Sequence, residues 1–146
     1  MHFVTGGAFN GKKEWVKNYY QSRYSNSFPI FSAYKEPITL SDVNQTNNEV
    51  IIIEGLEQWV KTELDERSPD QTRVFFKDEI RRWISWEKQH PNRKFILIGT
   101  DITKGIVPMA MEDRLWRDVT GWVFQDAVKQ ADRVDVVWYG LNQRLK

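Results

Sequence analysis

Ten consecutive residues, Thr5-Gly6-Gly7-Ala8-Phe9-Asn10-Gly11-Lys12-Lys13-Glu14, constrain this chain more than any other segment. They follow the phosphate-loop pattern G-x-x-x-x-G-K-[ST] except at its last position, where Lys13 replaces the hydroxyl residue. In such a loop the glycines let successive backbone N–H groups turn inward around phosphate oxygens. The helix that follows presents its positive end to the same anion. Lys12 adds a full charge at the outer phosphates. A Ser or Thr at position 13 would give an oxygen to magnesium, whereas an ammonium group has three donors and no lone pair for a metal. Gly6, Gly7, Ala8, Phe9, Asn10, Gly11, Lys12 and Lys13 are thus the expected binding residues for the phosphates of GTP or ATP, with any magnesium site weakened. A glycine-rich turn with both lysines solvated is the alternative.

A phosphate loop needs a strand before it and a helix after it. His2-Phe3-Val4-Thr5 is a short apolar strand, and Trp15, Val16, Tyr19 and Tyr20 recur at helical spacing. Strand and helix patterns then alternate. Phe28 to Ala33 is apolar, with Pro29 placing it at the start or edge of a strand, and residues 35 to 48 are polar and loop-like. Val50-Ile51-Ile52-Ile53-Glu54 is a β-branched run of the kind buried on both faces of a parallel sheet. Leu56, Trp59, Val60 and Leu64 follow on one helix face. Ser68-Pro69-Asp70 breaks that helix, and a longer one is expected from about Gln71 to Gln89 through Phe76, Ile80, Trp83 and Ile84. Phe95 to Gly99 is a strand, Asp113 to Ala131 a helix with Leu115, Val119, Trp122 and Val123 inward, and Val134 to Tyr139 a last strand. This order predicts an α/β fold with a mainly parallel sheet, helices on both faces, and ligands beyond the carboxyl ends of the strands.

The 146 residues fit one domain, residues 1–146, with a single core. Seven Trp, eight Phe and five Tyr suggest thick helix-to-sheet contacts or a subunit interface. Lys and Arg number 21 against 20 Asp and Glu, so there is no general field for nucleic acid, and any anion site is local. The basic residues Arg73, Lys77, Arg81, Arg82 and Lys88 are interleaved with Asp78, Glu79 and Glu87, the pattern of a solvated helix face. The absence of cysteine removes disulfides and thiolate chemistry. No apolar run approaches the roughly 18 residues of a membrane span, and no secretory signal is visible, so a cytoplasmic location is the expectation.

Two acids are candidates for metal and catalytic roles. Glu54 closes the Val50 to Ile53 strand, where phosphate-loop proteins place an acid that holds magnesium directly or through water. Asp101 follows the Phe95 to Gly99 strand and could orient a metal-bound water or a substrate hydroxyl. With Lys12, these are the candidate catalytic residues. A polar strand end and an Asp-initiated turn are the respective alternatives.

From Gly99 onward the chain resembles the adenosylcobinamide kinase and adenosylcobinamide-phosphate guanylyltransferase family of cobalamin biosynthesis. Gly105-Ile106-Val107-Pro108 matches that family's loop after the central strand. Arg114, Arg117-Asp118, Gly121 and Gln125 fall in the register of its next helix, and Ala131-Asp132 and Gly140 in its final strand and tail. Thr5 to Ala8, Gly11-Lys12 and Glu54 match at the front. The resemblance implies a three-layer sandwich of P-loop NTPase type, a nucleotide and a cobinamide-type corrinoid as ligands, kinase or transferase activity, and a homo-oligomer, a trimer by family habit.

The departures bear on mechanism. Family members place a serine where this chain has Lys13, and Asn-Glu where it has Thr100-Asp101. The family also carries a histidine between its second strand and its acidic strand that accepts the guanylyl group. Here about 17 residues separate Ala33 from Ile51 and none is His. His2 and His90 do not match that position and read as a terminal and a surface histidine. Kinase-type phosphoryl transfer is then the activity left by the resemblance, and an inactive nucleotide-binding regulatory or assembly protein is the alternative.

Overall fold

A computed structural model describes residues 1–24, 28–38 and 48–146. Along the chain lie β1 (His2–Thr5), α1 (Lys12–Gln21), β2 (Ile30–Ser32), β3 (Val50–Glu54), α2 (Leu56–Glu66), α3 (Pro69–Lys88), β4 (Lys94–Ile98), α4 (Met111–Gln130), β5 (Arg133–Trp138) and β6 (Leu141–Arg144). The strands form one sheet in the order β2-β3-β4-β1-β5-β6. The first five are parallel, and β6 returns antiparallel beside β5.

Side-chain alternation divides the core in two. Phe3, Ile51, Ile53, Phe95, Leu97 and Val134 face α2, α3 and α4, while Val4, Ile52, Ile96, Ile98 and Val137 face α1 with its Val16 and Tyr20. Val50 to Ile53 are all essentially inaccessible, which explains why β3 reads as a continuous apolar run. Each such side chain contributes about 1.5–3 kcal/mol by leaving water. Two tryptophans pack in the core: Trp83 stacks on Phe95 with ring centroids 4.4 Å apart, and Trp59 meets Phe76 edge to face at 5.0 Å. The molecule thus has the α/β, P-loop NTPase-like architecture expected from the sequence.

Three expectations need correction. Ser68-Pro69-Asp70 does not only end α2 but starts α3: Ser68 is the N-cap, its hydroxyl accepts from the Gln71 N–H at 3.3 Å, and Gln71 Oε1 accepts from the Ser68 N–H. Proline is at home in a first turn, where its missing N–H has no partner to lose. In α4 the buried stripe is Val119, Thr120, Val123, Phe124 and Ala127, while Leu115 and Trp122 lie at its exposed margin. On α3, Glu79 is buried and Arg73 reaches α4 to pair with Asp126 at 2.6 Å, so that face is only partly solvated.

The connectivity creates the crevice. From β1 the chain passes to β2 at the far edge, returns through β3 to β4, and then crosses β1 to reach β5. The carboxyl end of β1 therefore lies where the connections diverge, the place where open parallel sheets bind ligands.

Candidate functional site

This site hangs on the carboxyl ends of β1, β2, β3 and β4. Gly6 leaves β1 with φ of 142°, and a Cβ there would lie 2.3 Å from the Val137 carbonyl oxygen. Only glycine lets the loop pass this close to β5. Gly11, with φ of 82°, caps α1 without a side chain. The N–H groups of the first turn thus remain directed at whatever the loop encloses.

Lys12 is buried in the loop it terminates. Its Nζ donates to the carbonyl oxygens of Gly7 at 2.7 Å and Gly6 at 3.2 Å. Burial lowers the pKa of the ammonium, against the pull of Glu57 and Glu54. Lys13 turns to the other side, and its Nζ donates to Glu54 Oε2 at 2.6 Å. The first turn of α1 is thereby tied to the end of β3 by an ion pair from the last position of the phosphate-loop pattern.

The loop, α1 and the sheet end enclose a cleft of about 480 Å³ lined by Ala8 to Glu14, Tyr34, Glu54, Glu57, Ile98 and Thr100. Eight expected nucleotide-binding residues run from Gly6 to Lys13, and six of them, Ala8 to Lys13, line it together with Glu54. Asp101 is not in the lining. Its N–H donates to the Gly6 carbonyl at 3.0 Å, while its Oδ1 accepts from the Thr103 N–H and hydroxyl at 3.0 and 2.6 Å and its Oδ2 faces Lys104 at 3.7 Å. Of the two expected metal ligands, Glu54 lines the cleft and Asp101 does not, and a local Asx turn engages the Asp101 carboxylate. No group of three or more His, Asp or Glu side chains suited to a metal ion occurs among the described residues. With an ammonium on Glu54 and the Asp101 carboxylate engaged by Thr103 and Lys104, the donor set does not fit a directly ligated magnesium ion.

Sequence reading missed the floor of the cleft. Glu57 is buried in the first turn of α2, where its Oε2 accepts from the Thr100 N–H at 2.7 Å and its Oε1 from the Tyr34 hydroxyl. Tyr34 Oη also lies 3.1 Å from Thr100 Oγ1, and burial together with the Glu57 contact pushes the Tyr34 pKa up. The Tyr34 ring lies against Gly55, where a Cβ would come within 3.1 Å of it. The available signal was an acid three residues beyond Glu54, between the apolar Leu56 and Trp59 on a helix start, where a carboxylate suits the N-terminal dipole.

The remaining singled-out residues lie elsewhere. Arg114 donates to the carbonyls of Pro108 and Met109 at 3.1 and 2.7 Å, holding the end of its own loop, and Arg117 lies 3.8 Å from Asp118. His2 is not a free terminal residue but is buried under α1, with Nδ1 2.8 Å from the Tyr20 hydroxyl and Nε2 2.8 Å from Asp135 Oδ2. His90 is exposed beyond the end of α3. Neither lines the cleft. The segment 35–48, read from the sequence as polar and loop-like, falls largely on residues 39–47, outside the described residues.

No helix among the described residues is long and apolar enough to cross a membrane. No curated protein matches the chain significantly. A family match does exist, over residues 13–145, and so begins immediately after the Gly6 to Lys12 portion of the loop. It extends over all but one strand of the sheet, and through it the chain belongs to the CobU family, cobinamide kinase / cobinamide phosphate guanyltransferase.

Proposed function

We propose that this chain binds the triphosphate of GTP or ATP on Gly6 to Lys13 with a side-chain ammonium, rather than magnesium, supplying the second cation. The observation that carries this reading is the Lys13 Nζ to Glu54 Oε2 contact of 2.6 Å inside the cleft. Lys12 is already poised. Its ammonium rests on two loop carbonyls, and a phosphate oxygen offers it a charge-assisted partner that a neutral carbonyl does not. Lys13 sits one residue further on and reaches the side on which the outer phosphate must lie if Glu54 is to face it.

Guanylyl transfer through a histidine intermediate has no acceptor in this reading. The chain's histidines are His2 and His90, one locked between Tyr20 and Asp135 and the other exposed far along the chain. Family membership favours a second reading, kinase-type transfer to a cobinamide alcohol. There the substrate oxygen forms a bond to the γ-phosphorus, the bond to the β-phosphate oxygen breaks, the nucleoside diphosphate leaves, and the hydroxyl proton passes to the Glu54 carboxylate. Such transfer needs chiefly positioning and charge neutralisation. Lys12 and Lys13 would provide the neutralisation. An inactive nucleotide-binding relative shares everything but this step.

Calorimetric titration with GTP and ATP, with and without magnesium, tests the first reading. Binding of either nucleotide that changes less than about twofold on adding magnesium is the expected result, and unchanged affinity in Lys12→Ala would sink it. Incubation of adenosylcobinamide with γ-labelled nucleotide separates the two readings, since label on the corrinoid appears only if the kinase step survives.

A further inference from the structure

The described residues contain two non-glycine positions with positive φ, Phe9 at 57° and Tyr139 at 50°. Both are aromatic and both are almost wholly exposed, at 106% and 89% of their reference surface. A bulky side chain in left-handed backbone is strained, and strain of this sort collects at ligand-binding positions. A surface phenyl and a surface phenol also leave unfavourable apolar area in water. Both costs fall on the same small region.

The two residues flank the phosphate loop. Phe9 is its tip and lines the cleft. Tyr139 and Gly140 form the two-residue turn between β5 and β6, both with positive φ, as a type I′ hairpin requires. That turn is fastened to the residue after Phe9: the Tyr139 N–H donates to Asn10 Oδ1 at 3.2 Å and the Gly140 N–H to the Asn10 carbonyl at 2.9 Å. The neighbouring Trp138 ring already faces a cation, Lys104 Nζ at 5.7 Å. Phe9 and Tyr139 are the rings left open on this lip.

Polarity fixes what comes here. Lys13 and Glu54 mark the distal phosphate on the side of β3, two strands from β1, and β5 with its turn lies on the other side. A triphosphate laid along the loop with its outer end at Lys13 leaves its nucleoside end directed towards β5. We propose that Phe9 and Tyr139 form the nucleobase platform of this site, taking a planar base by stacking and without selecting strongly between purines. The proposal rests on the triphosphate reading above and extends it to the base. Stacking is tolerant of sequence because every base has a π-face, and its removal weakens binding by about tenfold or more.

The test pairs GTP with inorganic tripolyphosphate as calorimetric ligands of the whole chain. Phe9→Asn and Tyr139→Asn are the variants, because asparagine tolerates left-handed backbone and Asn-Gly is a favoured type I′ turn. Both therefore retain the loop and the hairpin. The wild type is expected to bind GTP more tightly than tripolyphosphate, and the double variant to lose about tenfold in GTP affinity while its tripolyphosphate affinity stays within twofold. Equal GTP affinity in the double variant, with tripolyphosphate still bound, overturns the platform and leaves the phosphate site standing. A wild type that binds neither ligand overturns both. A fall in oligomeric mass in the variants, with GTP affinity unchanged, assigns the two rings to a contact between copies of the chain and also overturns the platform.

Discussion

Lys13 Nζ and Glu54 Oε2 lie 2.6 Å apart, joining the first turn of α1 to the end of β3 within the cleft. Relative to the phosphate-loop pattern, Lys13 thus exchanges a metal-ligating hydroxyl for a tethered cation. Lys13→Ser should reverse the exchange. The variant is expected to bind GTP more weakly than the wild type without magnesium and to recover about tenfold when magnesium is added, because Glu54 is released and a hydroxyl oxygen is present. Titration calorimetry at fixed ionic strength measures both arms. A Lys13→Ser variant indifferent to magnesium would mean that Glu54 does not face the phosphates.

Glu54→Gln probes the same pair from the other side. Removing the carboxylate frees the Lys13 ammonium for phosphate and deletes a negative charge from the cleft. GTP affinity without metal should rise several-fold, with the gain shrinking as salt is added because the exposed part of the interaction is screened. Weaker binding would show that Glu54 positions Lys13 rather than competing for it.

Glu57 holds the cleft floor together, because it accepts from both the Thr100 N–H and the Tyr34 hydroxyl while itself buried. Glu57→Ala leaves that backbone N–H without its side-chain partner at the cleft floor. The expected loss is about 2 kcal/mol of unfolding free energy. Glu57→Gln keeps one acceptor oxygen and should lose less. Urea denaturation of the three proteins orders them wild type, Gln, Ala, and an Ala variant as stable as the wild type would deny the network a structural role.

What could be read in advance followed from range along the chain. The phosphate loop was legible because all its parts are contiguous, and the strands because β-branched runs such as Val50 to Ile53 have one physical explanation. The floor was not, since Tyr34, Glu57 and Thr100 meet only after β2, β3 and β4 align in parallel. Strand β6 escaped notice because Leu141 to Arg144 are all exposed and show no alternation. In α4 the run from Val119 to Phe124 offers two overlapping apolar stripes, and tertiary packing chose the one through Phe124 and Ala127. Asp101 was recognised as an acid near the strand ends, but the Thr two residues later, which claims its carboxylate, outweighed that position.

Gly99 ends β4 against a ring. A Cβ on it would lie 2.3 Å from Phe124 Cζ, nearer than any side chain tolerates. Gly99→Ala should therefore cost about 1–3 kcal/mol by forcing Phe124 out of its place. Phe124→Leu removes the colliding ring edge, so adding it to Gly99→Ala should cost less than it does alone. Thermal denaturation of the two single variants and the double variant closes the cycle, and strict additivity would place the clash elsewhere.

His2 gives the fold a pH signature. Burial lowers its pKa from 6.5 to about 4, with Arg133 adding to the effect and Asp135 opposing it. Between these values the unfolded chain binds a proton that the folded chain refuses. Stability must therefore rise with pH across this window and fall on acidification from about 6.5 towards 4, by roughly 3 kcal/mol from this group. Glu79 has the opposite slope above its ordinary value of 4.5, since burial raises its pKa. Asp126, Asp132 and Asp135 have lowered values and act only below 3.8. The difference between wild type and His2→Gln removes the contributions of Glu79, Asp126 and Asp132, none of which has His2 among the causes of its shift. Denaturation at pH 7, 5.5 and 4.5 should show the wild type's advantage shrinking steadily with acidity. A constant difference across the three pH values would mean that His2 keeps its ordinary affinity for protons despite its place between Tyr20 and Asp135.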